Sequence, residues 1–177
     1  MLSLGSFSTE FDRTRKRSPI MKVVRRLLGE IIRGRLSVLM NVEKAGGALY
    51  SVSFISALLS TGLLGERAAR PMTFEEIDKR LECRVEMKEA LRAWLQVGLA
   101  LRVLSQNGGR YALRSRFARR LAETKNDPAA AMIEELPAFD HRLVLETPKR
   151  VRTGRKFSLD EQPAALVARS SRQLDPS

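Results

Sequence analysis

WLQVGLALRVLSQNGGRYALRSRFARR, residues 94–120, is the stretch on which the fold turns. An apolar helical pattern reaches Gly98, a residue suited to ending a helix. LRVL (101–104) then alternates and is partly β-branched, as a short strand is. SQNGGR contains Asn-Gly, a pair favoured in tight hairpin turns because it tolerates positive φ. YAL (111–113) returns as the second strand. The stretch reads as the end of a helix carrying a β-hairpin, with a run of arginines behind it.

Upstream, Thr73 stands as an N-cap with Glu76 three residues on, the spacing of a capping box. Phe74, Ile77 and Leu81 mark the buried side of a short helix, 74–81. ECR makes a tight turn. A second helix, about 85–98, buries Met87, Leu91, Trp94 and Leu95. Two short helices joined by a three-to-four-residue turn form a helix-turn-helix. With the hairpin added, the expected fold is mainly α, a winged helix-turn-helix flanked by N-terminal and C-terminal helices.

Four segments follow from patterning: a disordered basic arm (1–20), dimerisation helices (21–64), the winged helix (65–125) and a C-terminal helical linker (126–177). The arm ends in DRTRKRSP, and Pro19 disfavours helix before it. In residues 21–43, Val24, Leu27, Leu28, Ile31, Leu39 and Val42 fall on or near one face. Arg25, Arg26, Arg33 and Arg35 lie largely elsewhere, so the helix is amphipathic and basic on its wet side. AGG (45–47) is expected to end it. Residues 49–64 form a helix apolar on nearly every side, which must be buried in the core or against a partner. The two helices exceed what one small winged helix can cover, so a homodimer is expected, with Leu28, Ile31, Phe54 and Leu58 as interface candidates. GERAARP (65–71) reads as a linker.

Beyond the hairpin, residues 115–124 form a short basic helix. Asp127-Pro128 reads as an N-cap followed by proline at the first helical position. The next helix runs toward Glu146 with a bend at Pro137. TPKRVRTG is a loop closed by Gly154, and a last helix spans roughly 160–171.

The chain of 177 residues is 44% apolar, enough for a core, and has a formal charge of +12. Such an excess favours polyanion binding and solubility rather than any particular fold. Residues 1–44 carry ten Lys/Arg against four Asp/Glu, residues 45–125 fourteen against eight, and residues 126–177 eight of each. The last third is therefore a poor surface for an anionic partner. Cys83 is the only cysteine and His141 the only histidine, which excludes an internal disulfide and any His/Cys zinc site. Cys83, beside Arg84 in the turn, reads as a small packed hydrophobe. No apolar run reaches the ~20 residues of a membrane span, and no secretory h-region opens the chain. A membrane partner is not expected, and the cytoplasm is the expected compartment.

TFEEIDKRL (73–81), ALRAWLQVGLALRVL (90–104) and GRYALRSRFARRL (109–121) resemble, in order and spacing, the N-terminal winged-helix domain of class I S-adenosylmethionine-dependent methyltransferases of the O-methyltransferase type. EELPAFDH (134–141), LETP (145–148) and Gly154 followed by Phe157 extend the resemblance over roughly residues 50–175. It implies a module that exchanges helices with a second copy and closes one side of the pocket for a small-molecule methyl acceptor. In that family the cofactor binds in a following Rossmann-like domain, which needs a strand ending in a glycine-rich loop with an acidic residue beyond it. Here AGG follows a helix and NGG is a hairpin turn. The chain is thus expected to be the front half of a methyltransferase, ending about where the cofactor domain would begin. S-adenosylmethionine belongs to the complete protein, and no catalysis is expected from this chain alone.

The resemblance places His141 and Phe139 on a helix facing the substrate pocket. A partly buried, hydrogen-bonded histidine is the alternative, because a general base also needs an orienting partner. Glu134 and Glu135 read as helix charges on a wet face. The rival function is a DNA-binding transcription regulator. In that reading the second helix would enter the major groove, but its outer face offers Glu86, Lys88, Glu89, Arg92 and Gln96, whose charges cancel. The arginines argue the other way: Arg110, Arg114, Arg116, Arg119 and Arg120 come with no acid between them, and Arg102 could join them. Five phosphate contacts would give a salt slope of about −4 to −5. The plainer reading is a solvated basic face.

Overall fold

The computed structural model describes residues 19–32, 34–65 and 70–172. Most of the expected arm lies outside them, and Pro19 and Ile20 already belong to a helix. α1 (Pro19–Ile32) starts on its proline, whose missing N–H would have no partner there. α2 (Arg35–Ser60) follows directly. The break between them falls at Gly34, with φ 68° and its N–H bonded to Ile31 O at 3.0 Å. AGG (45–47) does not end a helix as expected. Two glycines weaken a helix by about 1 kcal/mol each relative to alanine, yet neither is driven to positive φ and the helix continues through both.

The chain divides into two units, Met1–Lys44 and Ala45–Ser177. In the first, several apolar residues of α1 and of the opening turns of α2 are exposed, among them Val24, Leu27, Leu28, Ile31, Leu39 and Val42.

In the second unit, a three-stranded antiparallel sheet sits among helices, in the order β1 (Met72–Thr73), β3 (Arg110–Leu113), β2 (Leu104–Asn107). α3 (Phe74–Arg80) begins at Thr73. Thr73 Oγ1 accepts from Glu76 N–H at 3.2 Å, and Glu76 Oε2 accepts from Thr73 N–H at 2.7 Å, completing the expected capping box. Thr73 also pairs with Arg110, which ties the cap to the hairpin. β1 escapes a sequence reading because two residues show no period.

A 3-10 turn (Val85–Met87) leads into α4 (Lys88–Ala100). Gly98 lies inside α4 rather than at its end. The stop comes at Leu101, where Arg102 takes φ 56° and Arg102 N and Val103 N return to the carbonyls of Leu99 and Gly98. α3 ends the same way around Glu82, φ 49°. The hairpin turn is Gly108-Gly109, both at positive φ, with Asn107 opposite Arg110 and Leu104 opposite Leu113.

Phe54, Leu58, Ile77, Leu95, Leu104, Tyr111 and Leu121 meet in one core, which also takes in Ala130. Residues expected in three separate segments thus share it. Trp94 is half-buried and packs on Phe54, ring centroids 4.6 Å apart. Met87, expected inside, is exposed.

α5 (Arg116–Leu121) is followed by α6 (Asp127–Glu135), whose N-cap is Asn126 rather than Asp127. The bend at Pro137 takes the form of a π-helical segment, Leu136–Asp140, whose wider turn accommodates a residue without an N–H. α7 (His141–Thr153) then continues through Pro148, where a loop was expected. Arg150 explains its persistence. It is buried over the Phe157 ring, between Glu146 at 2.6 Å and Glu161 at 2.5 Å. Gly154, φ 70°, caps the helix. α8 (Ala164–Ser171) lies along α6.

Candidate functional site

Leu49, Val52 and Ser53 of α2 face Leu136, Pro137, Asp140, His141 and Val144 across a groove of about 380 Å³. The walls are mainly apolar. α2 contributes through the helical spacing of 49, 52 and 53, and the π segment brings Pro137, Asp140 and His141 to the same side. His141 is exposed at this groove, and no side-chain bond orients its imidazole among the described residues. Phe139, expected beside it in the pocket, is buried and does not line the groove. The opposite wall is some ninety residues away in sequence, so no local pattern marks it.

The five arginines expected to act together separate into two groups. Arg110, beside the hairpin turn, donates to Pro71 O at 3.3 Å and faces Glu76 at 3.5 Å. Arg114 follows the far end of β3, about 13 Å along the strand at ~3.3 Å per residue. Arg116, Arg119 and Arg120 lie on α5. Arg114, Arg116, Arg119 and Arg120 are exposed and form no ion pair among the described residues, although the Arg120 charge adds to Lys125 in lowering the Glu123 pKa.

The outer face of α4 is spoken for. Lys88 bonds Asp78 at 2.8 Å, which raises the lysine pKa. Arg92 lies 3.8 Å over the Phe74 ring and faces Glu89 at 3.5 Å.

The four interface candidates also divide. Leu28 and Ile31 are 51% and 54% exposed, whereas Phe54 (4%) and Leu58 (0%) belong to the core of their own chain. The all-round apolar character of 49–64 reflects this burial.

Three further ion-pair nodes were not legible in the sequence. Glu134 and Glu135, read as wet-face charges, hold α8. Arg169 bonds Asp127 at 2.6 Å and Glu134 at 3.3 Å, and Ser170 Oγ donates to Glu135 at 3.2 Å. The Arg169 bond lowers the Asp127 pKa. Arg150 brings Glu161 down to about 2 against the opposing cost of burial. Arg70, at 2.7 Å, lowers Glu76. These contacts occupy the carboxylates in structural pairs.

Among the described residues no three His, Cys, Asp or Glu side chains converge as a metal site requires. Among them both sheet pairings are antiparallel, and Gly108 and Gly109 between β2 and β3 form the exposed hairpin turn. No helix among them is long and apolar enough to cross a membrane. No protein-family model matches the chain, and no curated protein matches it.

Proposed function

We propose that this chain is a dimerising, substrate-capping winged-helix module of an S-adenosylmethionine-dependent methyltransferase, with the cofactor held by a separate domain and no turnover by the module alone. The observation that carries the reading is the row of exposed apolar side chains on α1, Ile20, Val23, Val24, Leu27, Leu28 and Ile31. A contiguous face of this kind exceeds the scattered apolar exposure of ordinary surfaces and marks an interaction site. A second copy supplies the same face, and obligate interfaces of this type bury about 2,000 Å² or more. The groove beside His141 supports the capping part, since methyl acceptors of the small-molecule kind are bound mainly by apolar walls with a few polar groups.

The self-neutralised face of α4 favours this reading over a regulator that inserts α4 into a major groove. Sedimentation velocity at micromolar concentration is expected to show a dimer that Leu28→Glu dissociates. Calorimetric titration with S-adenosylmethionine is expected to give no binding heat. A monomeric parent, or cofactor binding by this polypeptide, overturns the proposal.

A further inference from the structure

Six of the described arginines lie in ion pairs. Arg70, Arg92, Arg110, Arg142, Arg150 and Arg169 each face a carboxylate at 3.9 Å or closer. Arg114, Arg116, Arg119 and Arg120 form no ion pair among the described residues, although the Arg120 charge acts on Glu123, and they lie within seven positions of one another. On α5, at about 100° per residue, Arg116, Arg119 and Arg120 fall within an arc of about 100°. That arc points away from Ala118 and Leu121, which are buried. Like charges at i,i+3 and i,i+4 oppose a helix by roughly 0.2–0.5 kcal/mol per pair. Arg119 and Arg120 also lie in the last turn, where the helix dipole favours a cation, so the two effects oppose each other.

The backbone beneath it is held firmly. Val103 O accepts from Arg114 N at 2.9 Å and from Ser115 N at 3.2 Å. Ser115 Oγ accepts from Ala118 N at 3.2 Å, and Asn126 Nδ2 donates to Arg120 O at 2.6 Å. Four guanidinium groups thus project from a fixed corner between β3 and α5, with no lysine among them. Each guanidinium can meet a phosphate through two parallel N–H bonds, which an ammonium cannot.

We propose that this corner is a phosphate-contact surface for nucleic acid, engaging the backbone without reading sequence. The proposal is independent of the methyltransferase reading. It also differs from major-groove recognition, because α4 has no free charged face to offer and Arg110 is engaged by Glu76 and Pro71. A membrane surface fits less well: apart from the half-exposed Phe117, the apolar side chains of α5 are buried, so it has no stripe to insert.

Fluorescence anisotropy with the full chain and a random-sequence DNA duplex, between about 50 and 200 mM salt, tests it. Four contacts contribute about −3.6 to the slope of log affinity against log salt, so the triple variant R116A/R119A/R120A is expected to flatten that slope by about 2.7. A duplex of different sequence is expected to bind equally well. The circular dichroism of the variant should match the parent, since the lost groups make no internal bonds. A triple variant on α1, K22A/R25A/R26A, is expected to lose less affinity. The proposal is overturned if the α5 variant keeps the parent slope, or if the α1 variant loses as much. It is also overturned if phosphatidylserine vesicles bind more tightly than DNA in a manner that Phe117→Ala abolishes.

Discussion

The Phe54 ring occupies the space beside the bare Cα of Gly98: a Cβ there would collide with the ring and stand 2.9 Å from Leu104 Cδ1. Glycine is the residue at this point of α4 because α2 crosses it closely. Gly98→Ala is expected to destabilise the protein. Overpacking of a tight core costs about 1–3 kcal/mol, which outweighs the ~1 kcal/mol that alanine gains in a helix. Urea unfolding checks it, and Phe54→Leu in the alanine background should recover part of the loss. An unchanged or raised midpoint for Gly98→Ala contradicts the contact.

Arg102 and Glu82 both hold positive φ just after a helix, where glycine carries no Cβ penalty. Arg102→Gly and Glu82→Gly are each expected to stabilise the fold by roughly 0.5–1 kcal/mol, since the αL strain exceeds the added unfolded-state entropy. Thermal unfolding of the two variants measures this. Lower melting temperatures for both would sink the assignment of strain.

Acid should loosen the C-terminal helices. The Arg150 bond depresses Glu161 from its ordinary 4.5 to about 2. A carboxylate with a depressed folded pKa contributes stability above its unfolded value, and that contribution is lost as pH falls through the folded one. The Glu161 contribution is therefore present above about pH 4.5 and disappears toward pH 2. Glu161→Gln is expected to melt lower at pH 7 and to converge with the parent near pH 2. Calorimetry across that range tests the sign, and a constant gap between the two proteins would refute it.

Leu28 and Leu58 were equivalent interface candidates in the sequence, but the fold separates them. Leu58→Ala is expected to cost about 2–5 kcal/mol through loss of burial and the cavity left behind. Leu28→Ala should leave unfolding of the isolated protomer nearly unchanged and act on association instead. Denaturation combined with sedimentation distinguishes the two, and equal losses of protomer stability would remove the distinction.

Local chemistry was the legible part. Thr73 and Glu76 announced a cap because both partners lie within one helical turn. Asn107-Gly108 announced a hairpin because such a pair tolerates positive φ, although the turn itself falls one residue later, on Gly108-Gly109. The groove beside His141 was half legible: its histidine stood out, but Leu49 and Val52 reach it only through packing of α2. That Phe139 is buried rather than lining this groove was not legible, since periodicity says which side chains share a face but not whether that face meets solvent or core.

The sequence by itself determined the mainly helical character, the capped helix at Thr73, the hairpin, the apolar face of α1 and the arginines with no acid between them, because each depends on spacing within a few residues. Only the tertiary structure decided that Phe54 and Leu58 are core, that Gly98 permits a crossing rather than a stop, and that Arg110 belongs to Glu76 while the other four arginines form no ion pair among the described residues. Those outcomes depend on which surfaces meet across long sequence separations, where burial and ion pairing are settled by packing rather than by neighbours along the chain.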